Sequence, residues 1–533
     1  MFKLKPQEPP PPDYYAANLR HLFSHVQDFY EDMLSGEELG YLHAFLSASN
    51  DAQRLYARLL GRKGPWIRID KLNYPEIADL AQAVAELEAA GLVEVNAAAP
   101  AEHLLGLLTQ AERKAAFVNV RGARKSDWIA DCLSRYEDAR IRRVLAAEYA
   151  WVNLDRYRLV RLVQLLFFGD DHQDTSTFVL QDLGLMRFEP YSLARTERLF
   201  ADRSALDRYR RLRRLDRLCH RLDEAAGLDN WLSRALAVPP QNRQEQRQRD
   251  RTLNRLGQQF ERGGDFDRAL DCYGRSRMHP ARERRARILK KLEDEIGTQG
   301  LIARIAASPR CAEEVDFAGR FGKRARRGEE TVTVVPLAQS VDRIEAHAAE
   351  LIGASGSFVF HLENALPRSL AGLAYWDQIF EPLPGAFTNP FQTGPLDLFW
   401  PDFAEARADA IGARTEELSV PGALKLALAE TFEAKFGVAN RMISWRHFDA
   451  TVLEVVLQYL PEEALLALAK HVIRWPYRTR NGFPDLTVVY GPGNFEFVEV
   501  KGPTDQLQPG QRVWLSALEK LGLPARVLKF KAC

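Results

Sequence analysis

The chain has 533 residues, 46% of them hydrophobic and 27% charged, which is enough for three or four domains with real cores. No run of about 18 uninterrupted apolar residues occurs, so the sequence offers no membrane-spanning helix. The net charge of +1 hides a segmental polarity: residues 191–330 hold 33 Lys and Arg against 22 Asp and Glu, leaving the remainder acidic.

Taken in order, the opening MFKLKPQEPPPPDYY lacks an apolar signal core and reads as a proline-rich lead-in. Residues 1–95 then read as a helical domain interrupted by a small basic wing. Ala52 to Leu60 has apolar positions at helical spacing, a short strand follows around Trp66 to Ile69, and Ile77 to Ala90 resumes a helix that Gly91 can stop. Arg62, Lys63, Arg68 and Lys71 surround Trp66. They are either duplex-backbone contacts or the rim of a surface turn with Trp66 packed beneath it.

Residues 96–138 read as short helical pieces: Leu104 to Leu108, Ala111 to Phe117, and Asp127 to Leu133. The turn Arg121-Gly122-Ala123-Arg124-Lys125-Ser126 precedes the last of these. From 139 to 330 helix formers dominate. Leu253 to Leu292 carries Leu256-Gly257, Phe260, Gly263-Gly264-Asp265-Phe266, Ala269-Leu270 and Tyr273, the pattern of a tetratricopeptide repeat, and Tyr209 to Leu236 is a more degenerate window. Such helix pairs stack into a curved scaffold that docks one domain on another or binds a protein partner. The basic balance of this region suits either nucleic-acid phosphates or a solvated arginine-rich surface. The five cysteines (Cys132, Cys219, Cys272, Cys311, Cys533) have no zinc spacing. That predicts a reducing setting and no structural zinc.

Residues 331–533 change texture. A strand is predicted over Thr331 to Val335, then a helix over Ser340 to Ile352. Glu363 opens a further helix, with Pro367 tolerable only in its first turn. At that position an acidic group is often a dipole partner and nothing more. His361 reads as a polar residue supporting nearby backbone, and Asp377 and Asp397 as structural. Leu486 to Tyr490 and Phe495 to Val500 are apolar and β-branched about Gly491-Pro492-Gly493-Asn494, which predicts a β-hairpin. Asp485 stands at its entrance. Glu499 and Lys501 emerge side by side at its end, on one face with Phe495 and Phe497. A bare Glu-x-Lys is usually an ordinary ion pair; facing Pro484-Asp485 it becomes a cation site with a lysine beside it. Paired carboxylates suit Mg²⁺ or Mn²⁺, which acidifies water and offsets charge on a phosphate. A helix from about Gln508 to Leu521 points Gln511 towards this site, and a last strand, Ala525 to Phe530, completes an α/β core.

Gly482-Phe483-Pro484-Asp485-Leu486, then Val498-Glu499-Val500-Lys501-Gly502-Pro503, Asp505, Leu507, Gln511 and Trp514, resemble the virus-type replication-repair (VRR) nuclease domain of the PD-(D/E)xK superfamily. Leu362-Glu363-Asn364, Leu373 to Phe380, Pro395 to Leu398 and Ile443-Ser444-Trp445 extend the resemblance to the Fanconi-associated nuclease family, along nearly the whole chain. The resemblance implies a predominantly α, multidomain protein whose residues 96–138 form a SAP-like module, with Arg121, Arg124 and Lys125 on DNA phosphates, and whose residues 331–533 form the nuclease domain, core motif 481–530. It also implies Glu363, Asp485 and Glu499 as ligands of one or two metal ions, joined by the Val500 carbonyl. Lys501 and Gln511 complete the catalytic set.

The activity so implied is 5′ flap endonuclease and 5′ to 3′ exonuclease action on branched or flapped duplex DNA in interstrand cross-link repair. The expected enzyme is a monomer on DNA, cytoplasmic and nucleoid-associated, or nuclear in a eukaryote. The rival readings are a Holliday-junction resolvase of the same fold and a non-catalytic helical-repeat scaffold.

Overall fold

Alternation along the C-terminal hairpin determines how the catalytic-type residues are displayed. In the computed structural model, which describes residues 13–62, 64, 66–154, 157–170, 187–218, 227–322, 332–337, 343–354 and 356–532, the chain divides by its internal contacts into two units, 4–187 and 188–533. Lys63, Cys219 and Cys533 lie outside the described residues.

The first unit is helical around a small antiparallel sheet. Helices Tyr14–Tyr30, Gly36–Leu46 and Asn50–Leu60 bury Phe23, Tyr41, Phe45 and Tyr56. Ser35 and Glu38 form a capping box that starts the second of them. Strands β1 (Trp66–Arg68), β2 (Glu94–Val95) and β3 (Trp151–Asn153) pair in the order β1-β3-β2. β3 falls in a stretch whose sequence is dominated by helix formers. Helix Leu80–Ala89 begins later than its apolar spacing suggests because Asp79 caps it, accepting from the N–H of Gln82. Between β2 and β3, helices Ala101–Gly106, Gln110–Ala116, Lys125–Arg135 and Asp138–Glu148 enclose Leu105, Phe117, Trp128 and Ile141. Gly122 lets the basic turn pass against the third of these helices: a Cβ there would lie 2.3 Å from the Trp128 nitrogen.

In the second unit the repeat-like window folds as Arg243–Arg262, Phe266–Arg275 and Ala281–Lys291. Gly257 is where the first two helices approach, since a Cβ would lie 2.8 Å from the Tyr273 ring. Beyond this array, β4 (Val332–Leu337), β5 (Phe358–His361), β6 (Leu486–Gly491), β7 (Asn494–Lys501) and β8 (Ala525–Ala532) form a mixed sheet ordered β4-β8-β7-β6-β5. β8 runs parallel to both neighbours, while β5, β6 and β7 are antiparallel. Phe495 and Phe497 face one core with helices Ala365–Ala374, Glu462–Arg474 and Pro509–Lys520; Val498, Val500, Leu486 and Leu528 face another that includes Ala348 of helix Ile344–Gly353. Asp397 is paired with buried Arg407 at 2.9 Å, a structural role as its sequence context suggests.

Candidate active site

The hairpin β6–β7 carries the centre of the site, and two flanking segments close on it. Asp485 directly precedes β6, and its Oδ2 accepts the backbone N–H of Val500 at 2.8 Å. The Asp485 carbonyl accepts the N–H groups of both Leu362 and Glu363 at 3.2 Å. Asn364 Oδ1 accepts the Phe483 N–H at 3.0 Å, so the Leu-Glu-Asn and Phe-Pro-Asp segments are joined by main-chain and side-chain bonds. Glu363 itself sits at φ +44, a left-handed conformation that a non-glycine residue adopts at a cost of about 1–3 kcal/mol.

Glu499 is fully buried on β7. Its Oε1 accepts Lys501 Nζ at 2.6 Å and Gln511 Nε2 at 2.5 Å. Its Oε2 is buried with no hydrogen-bond partner. An unmatched carboxylate oxygen of this kind costs about 1–3 kcal/mol or more unless something cationic meets it. Burial, and next the nearby Asp485 charge, pushes the Glu499 carboxyl from its ordinary 4.5 up to about 7. Asp485 is also raised, by burial first, with the Val500 N–H and Lys501 pulling the other way. A buried acid raised by the half-buried Asp485 beside it, itself raised by burial, forms an electrostatic hole for a cation.

His361, Glu363 and Asp485 offer ligand atoms within 4.8 Å of one another. His361 was expected to support backbone; instead its ring Nε2 lies 3.1 Å from Glu363 Oε1. The His-x-Glu spacing at the end of β5 was the signal for it. Oxygen ligands plus one imidazole, with Glu499 Oε2 left unmatched, fit a hard divalent ion. The donor set is therefore one suited to a divalent metal ion. Val500 contributes its N–H to Asp485 and is itself buried. Gln511 was expected to hold the lysine or a phosphate; it holds the Glu499 carboxylate, and its own Oε1 caps the helix by accepting the Gln508 N–H at 2.8 Å. The approach requires glycine: Gly482 has φ +100, and a Cβ on it would lie 2.4 Å from the Gly510 carbonyl carbon.

The basic candidates of the first unit separate into two kinds. Arg121, Arg124 and Lys125 are exposed on the turn before helix Lys125–Arg135, with Lys125 Nζ 2.5 Å from the Gly106 carbonyl. Arg62 is exposed with Nε 2.8 Å from the Tyr74 hydroxyl. Arg68 is a correction. It is 4% exposed and held by Asp70 at 2.5 Å and Glu112 at 2.6 Å, with its guanidinium 3.9 Å from the Tyr149 ring centroid, so it serves the fold and not a DNA backbone. Lys71 is likewise engaged, 3.1 Å from Glu112.

The second unit holds one feature that no motif announced. A cavity of about 1630 Å³ is lined by Arg243, Arg247, Arg310, Lys470, Arg474 and Arg478, among others. Burial pushes the Arg247 and Arg478 guanidinium groups down to about 10, and Trp400 and Trp475 lie 4.1 and 3.8 Å from them. The basic balance of residues 191–330 accounts for Arg243, Arg247 and Arg310, while Lys470, Arg474 and Arg478 left no such trace.

Comparison with known proteins matches this architecture. The profile of the FAN1 HTH domain matches residues 13–94, and that of the VRR-NUC domain matches residues 420–532. A Fanconi-associated nuclease 1 homolog of Pseudomonas aeruginosa is 30% identical over 97% of this chain and 96% of its own length. Human Fanconi-associated nuclease 1 is 25% identical over 96% of this chain and 62% of its own length. The crystal structure of paFAN1 bound to 2-nt 5′ flap DNA with a gap superposes with a TM-score of 0.85 at 28% identity, covering 99% of both chains. The chain belongs to the Fanconi-associated nuclease family and is a hydrolytic, structure-selective DNA nuclease.

Proposed function

We propose that the enzyme cuts the 5′ flap strand of branched duplexes, and degrades exposed ends 5′ to 3′, in the repair of DNA interstrand cross-links. The observation that carries this reading is a pair of neighbouring acidic features: Glu363 and Asp485, whose ligand atoms cluster with His361, and buried Glu499, which is bonded to Lys501 through Oε1 and keeps Oε2 without a partner. Support comes from the relative whose crystal structures hold 5′ flap DNA.

Glu363, Asp485 and Glu499 would hold one or two Mg²⁺ or Mn²⁺ ions, with the Val500 carbonyl as a further ligand and His361 beside them. The ion supplies Lewis-acid stabilisation of phosphate charge and a more acidic water. The protein does the positioning. Lys501, fixed by Glu499, presents its ammonium to orient the attacking water and offset charge at phosphorus. Gln511 holds the Glu499 carboxylate in one orientation, as the partner of a metal ligand must. The Val500 N–H does the same for Asp485. Arg62, Arg121, Arg124, Lys125 and Lys63 would grip duplex phosphates from the first unit, and the arginine-lined cavity offers matching charge to substrate phosphates in the second. The enzyme would act as a monomer at the nucleoid.

A cleavage-site map on labelled 5′-flap and four-way-junction duplexes, with and without Mg²⁺, tests the reading. Mg²⁺-dependent incision near the flap junction is expected. Preferred symmetrical cutting of the four-way junction would favour a resolvase, and no cutting of either would leave a scaffold.

A further inference from the structure

Close to the acidic site, three arginines surround one aromatic ring. The guanidinium carbons of Arg441, Arg480 and Arg368 lie 5.0, 5.2 and 5.7 Å from the centroid of the half-buried Phe399 ring. Among the described residues no carboxylate pairs with any of the three, and Arg368 Nε is buried without a partner. Arg368 donates to the Arg441 carbonyl, so two of the three are tied together by a hydrogen bond that neutralises nothing. Burial first, and next the charges of Arg480 and Arg441, makes the Arg368 proton easier to lose. Three like charges held around one ring, without an acid, form a site suited to an anion.

Its place in the fold says which anion. Arg368 lies in the first turn of helix Ala365–Ala374, immediately after Glu363 and Asn364. Arg480 precedes Asp485 by five residues, a reach of about 18 Å at most. The Asn364–Phe483 hydrogen bond ties these two stretches together. Phosphates on one strand recur about every 3.4 Å of duplex axis, so that reach limits a phosphate held by Arg480 to within several nucleotides of one held at Asp485. None of the three arginines lines the large cationic cavity.

We propose that Arg368, Arg441 and Arg480, fanned around Phe399, seat a non-scissile backbone phosphate of the cleaved strand and so fix which phosphodiester reaches the carboxylates. This rests on the reading of Glu363, Asp485 and Glu499 as the cutting site. The planar guanidinium forks supply bidentate contacts that lysine could not. The three are positioning residues and touch no reacting atom.

The test is single-turnover cleavage of a 5′-flap duplex in Mg²⁺, with each phosphate within five nucleotides of the cut replaced in turn by neutral methylphosphonate, for the wild type, Arg441→Gln and Arg480→Gln. Both side chains are exposed, so both variants should fold, and an unchanged melting temperature checks this. At one position neutralisation should slow the wild type about tenfold, and each variant should lose about tenfold on unmodified DNA. On the substrate neutralised at that one position the variants should lose little more, while at every other position the two penalties should multiply. Penalties that multiply at all positions would overturn the proposal. So would a variant penalty that vanishes only when the flap lacks its 5′-terminal phosphate, because the ligand would then be the chain end. Asp485→Ala, assayed alongside, keeps the two readings apart: if it cuts normally the catalytic assignment fails, whereas the phosphate cycle compares rates and stands or falls by itself.

Discussion

The Asp485 carbonyl accepts the Glu363 N–H at 3.2 Å, which binds the acid before the hairpin to the acid before a distant helix through main chain alone. Their carboxylates are therefore placed by backbone geometry, with Asp485 Oδ2 further held by the Val500 N–H and Glu363 Oε1 beside the His361 ring. Glu363 at φ +44 is the strained element of that arrangement. Such strain persists only where surrounding bonds over-determine it.

Gln511 should be a positioning residue for Glu499. Gln511→Ala removes the donor at 2.5 Å and leaves Glu499 Oε1 to Lys501 alone. Loss of a hydrogen bond behind a metal ligand typically costs about 10–100-fold in metal affinity or activity. A Mg²⁺ titration of the cleavage rate should show the midpoint moved to higher concentration, and an unmoved midpoint would deny Gln511 this role.

Gly482→Ala should be damaging out of proportion to one methyl group. The residue has φ +100, and the added carbon would meet the Gly510 backbone. Conformational strain alone predicts about 1–3 kcal/mol of destabilisation. Denaturant unfolding measures it, and cleavage should fall as well because the loop bearing Asp485 must move away from the helix bearing Gln511.

The raised Glu499 carboxyl gives stability a pH dependence of defined sign. A folded-state value of about 7 against an ordinary 4.5 means the metal-free fold binds a proton more tightly than the unfolded chain does. Its contribution is complete below pH 4.5 and is lost as pH rises through about 7. A bound divalent ion replaces that proton, so stabilisation by Mg²⁺ should grow between pH 5 and pH 7. Melting curves with Mg²⁺ and with chelator should diverge over that window; in Glu499→Gln the divergence should be flat.

Arg68 and Arg124 should behave as opposites. Arg68→Ala removes the buried partner of Asp70 and Glu112 and leaves them only Lys71, so the first unit should melt earlier. Arg124→Ala should leave the melt unchanged but weaken DNA binding, and reduce the slope of log affinity against log salt by about 1.

Much of the site was legible because its information is local. The β-branched runs around Gly491-Pro492-Gly493-Asn494 announce the hairpin, and period-two alternation places Glu499 and Lys501 beside each other; both appear in β6 and β7. Glu363 was different. A glutamate ahead of a helix is commonplace, and only its resemblance to the family's Leu-Glu motif distinguished it, since its contact with Asp485 spans segments far apart in sequence. Arg68 misled for the same reason: a sequence reports a charge but not that Glu112, on a helix more than forty residues later, claims it. The parallel placement of β8 between β4 and β7 and the three-residue strand β3 were also hidden, because long-range partner choice and very short strands leave no periodicity to read.

The most direct measurement is single-turnover cleavage of a labelled 5′-flap duplex in Mg²⁺ by Asp485→Ala and Lys501→Ala, with DNA affinity followed by fluorescence anisotropy. Removing a charged group that acts at the reacting phosphate should slow cleavage by at least about 10²–10³-fold while affinity stays near that of the wild type. Either purified variant cutting at the wild-type rate would mean that the carboxylate and lysine cluster is not where the phosphodiester is broken.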